Sequence, residues 1–199
     1  TKLNAQIIHN KTESQKKGAL LGNIRQQKKL SLAMLESLNR AERKLDKKVN
    51  LILQKKKPAS GGDSFSNYQG RLMVPVPGKI ISKFGPLRNG EYNSFTFRKG
   101  IDIKAKKGEP VKSVFRGKIL FAQWLKGYGN LLVIDHGKNY YTLYAHVEEI
   151  IKQKGEHVNT GEIIATAGDT GSIRGPCLHF EIRHHGKAVN PMKWLKKGA

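Results

Sequence analysis

Side chains of kinds that bind metals or carry protons fall in three short stretches. Asp102 ends Phe97-Arg98-Lys99-Gly100-Ile101-Asp102, His146 ends Leu143-Tyr144-Ala145-His146, and Cys177 and His179 lie in Gly175-Pro176-Cys177-Leu178-His179-Phe180-Glu181-Ile182-Arg183. Carboxylate, thiolate and imidazole are all zinc donors, and a hydrolytic zinc site holds its ion with three of them while water takes the fourth position. Cys177 and His179 flank Leu178, so on a strand they share a face and could share a metal with Asp102. Arg98 cannot join them, because a guanidinium stays protonated and has no lone pair to give. Beside Asp102 it reads as an ion-pair partner, a fixed positive charge in place of a metal. A nucleophilic Cys177 working with His179 or His146 is disfavoured, since no helix N-terminus is predicted nearby to depress the thiol pKa.

The elements that must position these residues follow from periodicity. From Gly70 onward, short segments rich in Val, Ile, Leu, Phe and Tyr alternate with Gly and Pro, which predicts strands over 79–84, 111–123, 130–135, 140–146, 163–167 and 178–183. His136-Gly137-Lys138-Asn139 reads as a hairpin turn. The glycine-punctuated cadence fits a mainly β, antiparallel domain over residues 70–199. His136 and His157 fall at predicted turns and are expected to be solvated; the adjacency of His184 and His185 reads as incidental. Lys99, Gly100 and Ile101 are expected to serve the fold.

Residues 1–57 are different in kind: 15 Lys and Arg against 4 Asp and Glu, with no Pro and no aromatic residue. Leu21, Leu35 and Val49 with Ile24, Leu38, Leu45 and Ile52 recur at heptad spacing, which predicts a long amphipathic helix from near Ala19 to Gln54. A lone helix cannot bury such a stripe, so one arm of a coiled coil is expected, its other arm upstream of Thr1. Residues 58–69 read as a linker. The whole chain carries 37 basic and 15 acidic residues, net +22. Such a surface attracts polyanions without specifying one, and the spread of charge without a stacking motif argues against nucleic acid. The single Cys excludes an internal disulfide framework, and no apolar run is long enough for a transmembrane helix. A start at Thr1 suggests a piece of a longer chain whose targeting segment has been removed.

Lys-Gly-Ile-Asp, Leu-Tyr-Ala-His and Leu-His-Phe-Glu-Ile-Arg, in that order, resemble the signature of LytM/lysostaphin-type zinc metallopeptidases. In that family an H-x-x-x-D element, a lone His and a G-P-H-L-H-F-E element build one site. The resemblance implies an antiparallel β domain of the duplicated-hybrid-motif type. By position it makes Arg98, Asp102 and His179 the ligand set, and His146 and Cys177 the proton-handling pair. Arg98 and Cys177 stand where histidines belong, so Asp102 and His179 are vestigial ligands, zinc is not expected to bind, and catalysis is expected to be lost.

The basic coiled-coil segment, the Arg-Leu-Met-Val-Pro-Val-Pro-Gly entry, the Lys-Phe-Gly turn, Gly127-Tyr128-Gly129-Asn130 and Ala188-Val189-Asn190-Pro191 further resemble the EnvC-like murein hydrolase activators. That resemblance implies a periplasmic, non-catalytic protein of the division septum. Its degenerate groove would bind and switch on N-acetylmuramoyl-L-alanine amidases, and its coiled coil would dock on the FtsEX division complex, with peptidoglycan as a further partner. Arg98, Asp102, His146, Cys177, His179 and Arg183 are expected to line the groove. Arg183, on the Cys177/His179 face by alternation, would offer a bidentate handle to an acidic partner. A residual zinc endopeptidase and a peptidoglycan-binding module are the alternatives.

Overall fold

The computed structural model describes residues 2–53, 64–89 and 94–196. Helix α1 (Lys2–Leu53) runs for 52 residues, about 78 Å at 1.5 Å per residue. It begins well before Ala19, because Gly18 and Gly22 together cost only about 2 kcal/mol against the many Ala, Leu, Lys and Gln residues around them. Leu20, Leu21, Ile24, Leu30 and Leu32 are exposed along it. Glu13–Lys17 and Glu36–Arg40 pairs at i,i+4 (3.6 and 3.5 Å) lie on its surface. Residues 58–63 of the expected linker lie outside the described residues.

The rest of the described chain is a mainly antiparallel β structure. Its strands are β1 (Ile80–Ser82), β2 (Gly85–Asn89), β3 (Ser94–Arg98), β4 (Ile101–Lys104), β5 (Pro110–Lys112), β6 (Gly117–Leu125), β7 (Gly129–Asp135), β8 (Tyr140–Ile150), β9 (His157–Val158), β10 (Ile163–Ala167), β11 (Cys177–His184) and β12 (Lys187–Val189). The main sheet runs β1-β4-β11-β8-β7-β6-β9, with β12 on β11, and β10 bridging β8 and β5; β2 and β3 form a separate hairpin.

Period-two alternation gives the central strands two buried faces. Ile101 and Ile103 of β4, Leu178, Phe180 and Ile182 of β11, Tyr144 of β8, and Leu132 and Ile134 of β7 enter the larger core. Leu131, Val133, Leu143 and Ala145 point the other way and pack with Tyr128 in a smaller cluster. The intervening residues of β4 and β11, which carry the chemistry, therefore lie on the face away from the larger core.

Sequence periodicity misplaces three features. The run 111–123 is two strands, broken where Ser113 Oγ donates to the Phe115 carbonyl (2.7 Å) and Val114 N–H donates to the Tyr144 hydroxyl (3.1 Å). The break, Ser113-Val114-Phe115-Arg116, holds no Gly, Pro, Asn or Asp, so its residues do not mark it. The segment read as linker up to residue 69 includes a 3-10 turn, Phe65–Tyr68, with Phe65 buried in the larger core. His136, expected in solvent, is half-buried: its ring stacks on Phe65 (4.8 Å), Nδ1 donates to the Arg116 carbonyl (2.8 Å), and Nε2 lies 2.7 Å from Thr142 Oγ1. The apolar cover comes from Phe65, far away along the chain, which local sequence does not register.

Candidate functional site

β4 and β11 are antiparallel neighbours with Asp102 opposite His179. Their close approach depends on Gly100, where a Cβ would fall 2.4 Å from the Phe180 carbonyl oxygen. His179 Nδ1 donates to Asp102 Oδ1 (2.6 Å) and Nε2 donates to Glu181 Oε1 (3.1 Å). Carboxylates only accept, so both ring nitrogens carry protons and His179 is an imidazolium. Burial opposes that charge, but the Asp102 and Glu181 carboxylates outweigh it and raise the pKa to about 9.

Glu181 is fully buried, and burial alone would favour its neutral form. The Arg183 guanidinium and His179 overcome this and hold it at about 2. Arg183 Nε donates to Glu181 Oε2 (2.8 Å), Nη2 lies 2.7 Å from the same oxygen, and the Tyr128 hydroxyl donates to Oε1 (3.4 Å). Asp102 is also held below the usual carboxylate range: burial is outweighed by the His179 hydrogen bond and charge and by the Arg174 guanidinium, which donates from Nη1 to Oδ2.

The site residues expected from sequence divide into those the fold gathers and those it places elsewhere. Asp102, His179 and His146 are together, the two imidazole rings 5.9 Å apart. His146 has left-handed backbone (φ 64°) and its Nδ1 donates to the Thr170 carbonyl (2.9 Å); burial lowers its pKa. Arg98 does not pair with Asp102 as expected; it is half-buried and its Nη1 donates to Ser82 Oγ. The ion pair forms instead with Arg174, which lies in the loop leading into β11, a stretch that strand periodicity leaves unread.

Cys177 and Arg183 do lie on the His179 face, but neither lines an open groove. Cys177 is buried with Sγ 3.4 Å from Ser172 Oγ, and burial pushes its thiol pKa up, against the help of Ser172. Arg183 is 1% exposed and committed to Glu181, so the expected handle for an acidic partner is corrected to an internal ion pair. Sequence reasoning missed Glu181, Tyr128 and Arg174. Glu181 shares the period-two face of His179, which was the one available signal; Arg174 carried none.

The resemblance implies zinc, and the donors present do not fit it. Arg98 has no lone pair, and both nitrogens of His179 are protonated. Arg174 and His179 occupy the two oxygens of Asp102. Among the described residues no three His, Cys, Asp or Glu side chains are grouped to hold a metal.

Residues 96–191 match the model of peptidase family M23. Over 127 residues the chain is 37% identical to the murein hydrolase activator EnvC of Escherichia coli K12, covering 64% of this chain and 29% of EnvC. Over 122 residues it is 39% identical to the murein hydrolase activator NlpD of the same organism, covering 61% and 30%. A solved zinc containing peptidase from Vibrio cholerae superposes with a TM-score of 0.58 at 35% identity, over 62% of this chain and 40% of that one. The chain thus spans about three tenths of the length of these two activators. The antiparallel sheet, the Asp102–His179 register across it and these matches agree on the fold: residues 96–191 are similar to peptidase family M23 and lie within the same kind of antiparallel β structure.

Proposed function

We propose that this chain is a non-catalytic activator of peptidoglycan hydrolases, and specifically of periplasmic N-acetylmuramoyl-L-alanine amidases during septal splitting. The observation that carries the reading is His179: at the position where the resembled peptidases bind zinc, both ring nitrogens are committed to carboxylates. A domain that keeps this scaffold without a ligand lone pair has a shaped surface and no hydrolytic centre. The names of its relatives, both murein hydrolase activators, point the same way.

The partner face is narrower than the sequence suggests. Arg183 is buried, so the cations left to meet an acidic segment are Arg98 and Arg174, with Phe97 and Ile173 exposed beside them in sequence. Guanidinium groups next to apolar side chains suit a helix or loop that carries carboxylates on an apolar face. The exposed stripe of α1 suits a second helical arm and, through it, the FtsEX complex.

Dye release from labelled peptidoglycan tests the proposal, with this chain alone, a periplasmic amidase alone, and both together. Release above the amidase level only in the mixture is the expected result. Release by the chain alone, abolished by a chelator, would overturn it in favour of an endopeptidase.

A further inference from the structure

We infer that Arg174 is a built-in cation that replaces the metal at Asp102, and that the loop from Gly168 to Pro176 is shaped to deliver it. Asp102 is 9% exposed, and a carboxylate this buried needs a cation or a metal. His179 meets only one of its oxygens, Oδ1, and is shared with Glu181, which leaves Oδ2 to Arg174. Arg183 is spent on Glu181. Arg174 completes a row in which charges alternate: Arg183, Glu181, His179, Asp102, Arg174.

The loop is fixed on both sides of Arg174. Cys177 N–H donates to the Gly168 carbonyl (3.0 Å), closing its ends. Thr170 Oγ1 donates to the Val147 carbonyl (2.8 Å) and accepts from Asn130 N–H (3.0 Å), while the Thr170 carbonyl accepts from His146 (2.9 Å). Gly129 permits this approach: its φ is +63°, and a Cβ there would fall 2.0 Å from the Thr170 carbonyl oxygen. Nearer the guanidinium, Ser172 Oγ donates to the Gly175 carbonyl (2.9 Å) and accepts from Arg174 N–H (3.2 Å). Arg174 is therefore held on a braced arm although its side chain is 38% exposed. Its charge repels a second cation and its donor occupies an Asp102 oxygen, so the site excludes metal by two routes.

Zinc titration and thermal unfolding of the full chain test this with zinc alone as the probe. Arg98→His supplies a further donor; adding Arg174→Ala removes the cation. The double variant is expected to bind zinc at least about tenfold more tightly than Arg98→His alone. Arg174→Ala alone is expected to lower Tm, with Arg174→Lys recovering part of the loss. Arg174→Gln, neutral and of similar reach, must behave like Arg174→Ala, which keeps the comparison available if the alanine variant fails to fold. Equal zinc affinity with and without Arg174, or an unchanged Tm in both neutral variants, would overturn the inference. Neither readout involves hydrolase activation, so failure here leaves the proposed function standing.

Discussion

His179 and His136 occupy the same sheet system in opposite charge states. His179 lies between two carboxylates and is an imidazolium, its pKa raised to about 9. His136 faces a carbonyl, a hydroxyl and the ring of Phe65, and burial, against the pull of the Arg116 carbonyl, lowers it to about 4. The carbonyl can only accept, so Nδ1 donates, and burial keeps the ring neutral. One region stores charge in a buried row, and the other holds an aromatic corner together. The residue type does not set the role; the atoms offered to its two nitrogens do.

The largest effect should come from breaking the charged row. Glu181→Gln leaves Arg183 buried without its anion, at a cost of about 3–5 kcal/mol in urea unfolding. A loss below about 1 kcal/mol would mean that the row is not a stabilising unit. The aromatic corner breaks differently. Phe65→Ala removes the ring packed on His136, Tyr140, Trp194 and Phe115 (4.8, 5.2, 5.0 and 5.5 Å), and should cost about 3 kcal/mol. No change would mean that Phe65 belongs to a linker after all.

Proton linkage sharpens the comparison, because the two histidines limit stability from opposite sides. His136 binds protons more readily unfolded than folded, so its contribution is full above about pH 6.5 and is lost as pH falls towards 4. His179 is the reverse: its contribution is full below about 6.5 and is lost as pH rises through 9. Each limb should be worth about 3 kcal/mol. Urea midpoints measured from pH 4 to pH 10 should fall on both sides of neutrality, and His179→Gln should flatten the alkaline limb alone. An alkaline limb that survives His179→Gln would place the titrating group elsewhere.

Much of this was legible in the sequence, for physical reasons that also set the limit. Alternation put Asp102, Cys177, His179, Glu181 and Arg183 away from the apolar residues of β4 and β11, and the observed register agrees. Alternation does not say whether a face is open. Arg183 shares the face of His179 yet is buried, because depth depends on neighbours such as Tyr141 that pair with it across β8. Arg174 was invisible for another reason: it lies in a loop whose shape comes from Ser172, Thr170 and the distant Gly129, and no period marks such a position. The hairpin β2–β3 escaped because Gly85-Pro86 opens it and breaks the strand pattern.

The smallest predicted effect separates the two arginines near Asp102. Arg98 donates to Ser82 and lies close enough to Arg174 for the like charge, after burial, to lower its pKa. Removing it loses one hydrogen bond and relieves one repulsion, so Arg98→Ala should change stability by less than about 1 kcal/mol. Arg174→Ala strips Asp102 of its cation and should cost more. Urea unfolding of the two variants side by side checks the order. If Arg98→Ala proves the more damaging, Arg98 rather than Arg174 is the cation that supports the carboxylate, and the pairing expected from the spacing of Arg98 and Asp102 along the chain is restored.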